Sequence, residues 1–162
     1  MLDVGCGEGA DAVWLAKAGW DVTAPDVSGV ALERAASHAR DAEVDIRWVH
    51  AGLVEAELQL ARSTSCLRST LRYFELPAPL PSALLAAVAP GGVLLVVHHA
   101  GMDTQAAHDG SFDPADYVWP PMSAALLNDK WETELNEKRP RSAPESGAGA
   151  RPWMAKMMKT TK

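Results

Sequence analysis

The chain has 162 residues, of which 48% are hydrophobic and 22% charged, the composition of one soluble globular domain with its own core. Its formal net charge of −6 argues against a dedicated nucleic-acid binder, although residues 138–162 hold seven basic side chains against one acidic. No apolar run is long enough to span a membrane, and the widely separated Cys6 and Cys66 are typical of a cytoplasmic protein with reduced thiols.

The first part of the chain alternates between short apolar segments and helical apolar spacing. Ser28 is placed to cap the second helix, and Trp14 and Trp20 are expected to be packing residues. Successive βα units imply a parallel sheet with right-handed crossovers, and ligands bind at the carboxyl ends of such strands. The periodicity predicts a strand at 2–4, a helix at 11–18, a strand at 22–24, a helix at 29–40 and a strand at 44–49.

The rest of the chain has a less regular pattern. After a helical pattern at 54–61 comes a polar stretch, which lacks the apolar run of a buried central strand. We assign residues 1–139 to the folded domain and residues 140–162 to a Pro/Gly-rich loop and a basic tail. Further predicted elements are a helix at 80–89, a buried strand at 93–97, a short helix at 123–127 and a strand with one wet face at 131–136.

The glycine-rich stretch after the first strand carries the strongest functional signal. Gly5, Gly7 and Gly9 occur at every second position, a spacing that lets a strand turn sharply into a helix with its backbone close to a ligand. The helix behind the loop offers free N–H groups and the positive end of its dipole. Asp26 ends the second strand, where a carboxylate typically accepts from the hydroxyl pair of a ribose.

Two kinds of ligand fit this loop. Gly5, Gly7 and Ala10 also satisfy the G-x-G-x-x-G/A pattern of a dinucleotide site. Asp3 favours the other kind, because a dinucleotide fold usually keeps an apolar residue at this position. Glu8 does too, because a carboxylate in the turn would repel a pyrophosphate but is harmless beside a cationic ligand. S-adenosylmethionine is such a ligand, since it carries a sulfonium and an ammonium group and no phosphate.

The stretch from Leu2 to Ser28 reads LDVGCGEGADAVWLAKAGWDVTAPDVS and resembles the opening of class I S-adenosylmethionine-dependent methyltransferases. The similarity is closest to small bacterial members of the tellurite/thiopurine-resistance type, and it returns at residues 73–99. The resemblance implies an α/β fold with a Rossmann-like, doubly wound and mostly parallel sheet. It also implies an enzyme with S-adenosylmethionine as cofactor and a small-molecule methyl acceptor, without nucleic-acid or membrane partners; an oligomeric state is not indicated.

The resemblance assigns roles to individual residues. In the family, the loop holds the amino acid part of the cofactor, the acid after the second strand holds the ribose, and the next residue flanks the adenine. His98 and His99 follow the fifth strand and are candidates for a base. No His, Cys, Asp or Glu cluster has metal-ligand spacing, so we expect no metal. The implied cofactor-binding residues are Asp3, Gly5, Cys6, Gly7, Gly9, Asp26 and Val27.

The sequence also departs from the family. The helical segment that precedes the first strand is absent, so we expect a fold that is truncated at the amino terminus. Gly52 stands where the family has an acid for the adenine, the fourth strand is polar, and residues 153–162 match the last antiparallel strand poorly. These departures leave two alternatives open: a truncated or degraded methyltransferase relative with little or no catalysis, and an NAD-type dinucleotide-binding protein.

Overall fold

The computed structural model describes residues 1–52, 67–70, 84–99, 130–139 and 153–160. The predicted helices at 54–61 and 123–127 lie outside these residues, and of the helix at 80–89 the structure describes one turn at 84–86. The elements are β1 (Leu2–Val4), α1 (Ala10–Lys17), β2 (Thr23–Asp26), α2 (Gly29–Asp41), β3 (Arg47–His50), β4 (Leu67–Thr70), β5 (Val93–His99), β6 (Trp131–Arg139) and β7 (Trp153–Thr160).

The strands in the described ranges form one sheet in the order β3-β2-β1-β4-β5-β7-β6. The strands from β1 to β5 pair in parallel, whereas β7 runs antiparallel to both β5 and β6. This arrangement confirms the expected Rossmann-like, mostly parallel sheet. Because the chain moves outward from β1 to β3 and resumes beyond β1 with β4, the strand order reverses between β1 and β4. Ligands of open α/β sheets bind at such a reversal, outside the carboxyl ends of the strands.

Both long helices form where the sequence predicts them. Ser28 caps α2, since its Oγ accepts a hydrogen bond from the N–H of Ala31 at 3.3 Å. The predicted apolar face of α2 is buried through Leu32, Ala35 and Ala39. Gly9 is the N-cap residue of α1, so this helix begins directly at the end of the glycine loop.

Two apolar clusters hold the helices and strands together. Because side chains alternate along a strand, Leu2 and Val4 of β1 face one side of the sheet and Asp3 faces the other. Asp3 is nevertheless buried, with 2% of its surface exposed. The first cluster consists of Leu2, Val4, Leu84, Ala87, Leu94 and Val96. The second consists of Ala12, Leu15, Val22 and Ala24.

The third strand begins later than the sequence predicts. Glu43 adopts a φ of 55°, and the N–H of Val44 donates to the carbonyl of Ala39 at 3.0 Å. These residues therefore close the end of α2 instead of extending a strand. Pairing with β2 starts at Arg47, opposite Thr23, and continues to His50, opposite Asp26.

The two stretches that matched strands poorly are both strands. Leu67–Thr70 form β4, which pairs with β1 and β5 in the middle of the sheet despite its polar sequence. Trp153–Thr160 form β7 between β5 and β6, so the expectation of a basic tail is wrong for these residues. Lys159 is exposed and its Nζ lies 4.0 Å from Oε1 of Glu134 on β6. The domain boundary at residue 139 itself remains a prediction.

The end of the glycine loop packs tightly against α2 and β3. A Cβ atom on Gly9 would lie 2.8 Å from both Cβ of Ala35 and Cη2 of Trp48. Gly19, which follows α1, has a similar left-handed backbone with a φ of +87°, but a Cβ atom there would meet nothing within 4 Å. The two glycines thus share a backbone conformation and differ in the space around them.

We expect Gly9→Ala to destabilise the fold more than Gly19→Ala. Both substitutions force a side chain into the left-handed region, at about 1–2 kcal/mol each. Only Gly9→Ala also overpacks a filled contact, which adds about 1–3 kcal/mol. Urea denaturation of the two variants measures the difference, and equal losses of stability would contradict the packing of Gly9 against α2.

Hydrogen exchange tests the position of β7. We expect peptides from residues 153–160 to exchange slowly, because backbone groups of β7 pair with β5 on one side and β6 on the other. Met157→Pro should accelerate exchange, since proline removes a donor from an interior strand. The exposed Lys159→Ala is the matched control. Exchange as fast as in an unstructured peptide would show that these residues form a tail.

Candidate functional site

The loop from Gly5 to Gly9 turns through left-handed backbone at each of its three glycines. The φ angles are 69° at Gly5, 56° at Gly7 and 79° at Gly9. A Cβ atom on Gly7 would meet nothing within 4 Å, so this residue borders open space. Gly7 and Gly9 therefore serve different purposes, since Gly7 leaves room for a ligand and Gly9 leaves room for the protein's own side chains.

The end of β2 holds the loop in this shape. The carbonyl of Pro25 accepts hydrogen bonds from the N–H groups of Gly5 at 2.9 Å and Cys6 at 3.3 Å. Oδ2 of Asp26 accepts from the N–H of Gly7 at 2.8 Å, and Oδ1 accepts from the N–H of Ser28 at 2.8 Å. The structure thus brings the glycine loop and Asp26 together, as the sequence predicts. An ionised carboxylate offers about four acceptor positions, so about two remain for a ligand.

Two carboxylates give this region a negative potential. Burial raises the pKa of the Cys6 thiol to about 12, and the charges of Asp3 and Asp26 add to the effect. The charges of both carboxylates therefore act on Cys6, which lies in the loop directly after Gly5. A thiol with a raised pKa is a poor nucleophile at neutral pH. A cationic ligand suits this potential.

Glu8 does not contribute to that potential as the sequence suggested. Its Oε1 lies 2.6 Å from Nη1 of Arg34 on α2, and the hydrogen bond and charge of Arg34 lower the pKa of the Glu8 carboxyl group. Because Arg34 pairs with this carboxylate, Glu8 is weaker evidence against a pyrophosphate than the sequence alone suggests. Sequence reasoning missed Arg34, since no signal marks an exposed arginine on a helix as a partner of the loop.

The far end of β3 approaches the residues after Asp26. Val27 is 59% exposed, and its carbonyl lies 3.1 Å from Nε2 of His50. A carbonyl only accepts, so Nε2 of His50 carries the hydrogen of this bond. The N–H of Ala51 donates to the carbonyl of Asp26 at 3.2 Å, and Gly52 follows it. Gly52, where the family has an acid for the adenine, therefore directly follows Ala51, which is hydrogen-bonded to Asp26.

His98 and His99 are the last residues of β5. They pair with Met154 and Trp153 of β7. Because β1 and β5 lie in the same parallel part of the sheet, the carboxyl end of β5 is at the edge that carries the glycine loop. A role for either histidine as a base remains a prediction.

The described residues contain neither a cluster of metal ligands nor a helix that could span a membrane. No group of His, Cys, Asp or Glu within ranges 1–52, 67–70, 84–99, 130–139 and 153–160 could hold a metal ion. Among the helices of these same ranges, none has the length and hydrophobicity needed to cross a bilayer.

Comparison with known sequences identifies the family. A family model for a methyltransferase domain matches residues 1–92. An uncharacterised methyltransferase of Mycobacterium bovis is 35% identical over 141 residues, which are 86% of this chain and 68% of the relative. An uncharacterised methyltransferase of Mycobacterium tuberculosis is similar to the same extent.

Solved structures share the fold. A protein of echinomycin biosynthesis, where a disulfide bond is converted into a thioacetal group, matches with a TM-score of 0.74 and 18% identity over 98% of this chain and 74% of its own. The chain also matches the 1,6-didemethyltoxoflavin-N1-methyltransferase of Burkholderia thailandensis, solved with 1,6-didemethyltoxoflavin and S-adenosylhomocysteine bound. The TM-score is 0.67 and the identity 20%, and the match covers 99% of this chain and 70% of the enzyme. The chain belongs to the methyltransferase domain family and has the fold of the class I S-adenosylmethionine-dependent methyltransferases.

Proposed function

We propose that this protein binds S-adenosylmethionine at the glycine loop and catalyses methyl transfer to a small-molecule acceptor. The observation that carries the proposal is the carboxylate of Asp26. It accepts hydrogen bonds from Gly7 and Ser28 and still has acceptor positions for a pair of hydroxyl groups. It also lies at the carboxyl end of β2, beside the reversal of strand order where ligands of such sheets bind.

The residues around Asp26 fit the other parts of this cofactor. Gly7 borders open space, which allows a ligand to approach the loop backbone closely. Asp3 and Asp26 supply negative charge for a ligand with a sulfonium and an ammonium group. The exposed apolar side chain of Val27 is suited to cover a face of the adenine. When bound, S-adenosylmethionine supplies an electrophilic methyl group.

The chemistry asks little of the protein beyond positioning. Displacement at a methyl group proceeds in line, so orientation of the two reactants supplies much of the acceleration. A base is required only if the acceptor must lose a proton, and His98 and His99 are our candidates for it. Cys6 takes no covalent part, because its thiol is protonated at neutral pH.

We also propose that the methyl acceptor is a small molecule and that the protein is located in the cytoplasm. The Burkholderia thailandensis enzyme holds 1,6-didemethyltoxoflavin, which supports a small molecule as the acceptor in this fold. The net charge of −6 supports the same view, since it opposes binding to nucleic acid. Membership of the methyltransferase family favours S-adenosylmethionine over NAD. The charge of Glu8 does not distinguish the two ligands, because it is paired with Arg34.

Isothermal titration with S-adenosylmethionine, S-adenosylhomocysteine and NAD tests the cofactor. We expect the first two to bind, and Asp26→Ala to weaken their binding by about 1–3 kcal/mol through the lost hydrogen bonds. Asp21→Ala, which removes the same charge from an exposed position just before β2, should bind like the wild type.

Two outcomes separate the alternatives. Binding of NAD alone, or unchanged affinity in Asp26→Ala, would overturn the proposed cofactor site. Tight binding of S-adenosylmethionine without transfer to any small molecule in an acceptor screen would instead favour the degraded relative.

The protonation of Cys6 gives a separate prediction. Because the pKa of this thiol is raised to about 12 in the fold, its alkylation should be slow at neutral pH and rise with pH until that value is approached. In urea, the same thiol should titrate near its ordinary value of about 8.5. Mass spectrometry of the Cys6 peptide after iodoacetamide treatment measures both profiles, and coincident profiles would contradict the burial of the thiol.

A further inference from the structure

Three contacts attach the outer side of the glycine loop to one face of α2. Arg34 donates from Nη1 to the carboxylate of Glu8 at 2.6 Å. The ring of His38 lies with Nδ1 3.0 Å from the backbone carbonyl of Glu8. Gly9 packs against Ala35 between them. Residues four apart on a helix share a face, so Arg34 and His38 reach the loop from neighbouring turns.

The contact from His38 has a defined direction. The carbonyl of Glu8 can only accept, so Nδ1 of His38 carries the hydrogen of this bond. This hydrogen bond connects α2 directly to the backbone of the loop.

The loop is thus held from both sides. On the inner side, the N–H of Gly7 donates to Asp26 at 2.8 Å. On the outer side, the next residue, Glu8, is held through its side chain and its carbonyl. A binding loop that is already ordered spares the ligand the entropy of ordering it, which raises affinity.

We propose that Arg34 and His38 are positioning residues, which hold Glu8 and thereby fix the glycine loop in the shape that binds the cofactor. The inference rests on the proposed function, because the ligand of the loop is the S-adenosylmethionine assigned above. Arg34 and His38 act through Glu8 and from the side of the loop that faces α2.

The solvent exposure of Arg34 and Glu8 sets the expected size of their effect on binding. The side chains of Arg34 and Glu8 are 63% and 53% exposed, and exposed ion pairs change an equilibrium by about twofold to fivefold. Loss of the His38 hydrogen bond is expected to weaken binding by about fivefold. We therefore expect about tenfold weaker binding when both contacts are removed.

The first experiment compares affinities for S-adenosylhomocysteine by isothermal titration. The variants are Arg34→Gln, His38→Ala and the double variant, with Arg40→Gln as the matched control. Arg40 is exposed on the same helix, and its Nε donates to the carbonyl of Ala36 in that helix and not to the loop. We expect weaker binding in the first three variants and wild-type binding in the control. Equal affinities of Arg34→Gln and Arg40→Gln would overturn the role of Arg34.

A charge exchange tests whether Arg34 acts through Glu8. Glu8→Arg and Arg34→Glu should each weaken binding, and their combination should restore part of the lost affinity because the pair re-forms with opposite sign. If Arg34 acted independently of Glu8, the two losses would be additive, and additive losses would contradict the proposal.

Hydrogen exchange without ligand separates this inference from the proposed function. In the Arg34→Gln/His38→Ala variant, peptides that contain Gly7 and Gly9 should exchange faster than in the wild type, and Arg40→Gln should leave them unchanged. Faster exchange in a protein that binds no S-adenosylhomocysteine would sink the proposed function and leave the loop attachment standing. Unchanged exchange and affinity in a protein that does bind it would sink the positioning role alone.

Discussion

The hydrogen bond from the N–H of Gly7 to the carboxylate of Asp26 links the parts of the site. It joins the loop after β1 to the end of β2, and the same carboxylate also holds the N–H of Ser28 at the start of α2. Pro25 supports this link from one residue earlier, because its carbonyl accepts from two loop N–H groups. Asp26 is therefore a structural centre of the loop as well as its proposed ligand contact.

Charge is divided between the two sides of the glycine loop. On the inner side, burial raises the pKa of the Cys6 thiol, and the charges of Asp3 and Asp26 add to this effect. On the outer side, the charge of Glu8 is balanced by Arg34. Asp26 lies beside Gly7, which borders open space, whereas the charge of Glu8 is paired. Negative charge near that space favours a cationic ligand.

The sequence predicted the elements that depend on local signals. It failed for the strands whose place depends on pairing with distant parts of the chain. The cap at Ser28 and the apolar face of α2 are local, and so is the turn from β1 into α1. Strands β4 and β7 have no apolar pattern of their own and are fixed by neighbours far away in the chain. Trp14 is 68% exposed and Trp20 45%, although both were expected to pack. Trp14 lies on α1, and helical spacing shows which residues share a face and not which face is covered.

The glycine loop and its supports lie apart from the departures in the fourth and last strands, which bears on the degraded-relative alternative. The loop, Asp26 and their supports on α2 all fall within the first 38 residues, where each contact described above is in place. Gly52 is the departure that concerns the cofactor, because it stands where the family has an acid for the adenine. The polar fourth strand and the last strand are nevertheless strands of the sheet. Selection of the acceptor in an α/β fold depends on loops beyond the strand ends. The proposed cofactor binding and the proposed methyl transfer are therefore separable, and a loss of catalysis would not require a loss of the proposed cofactor site.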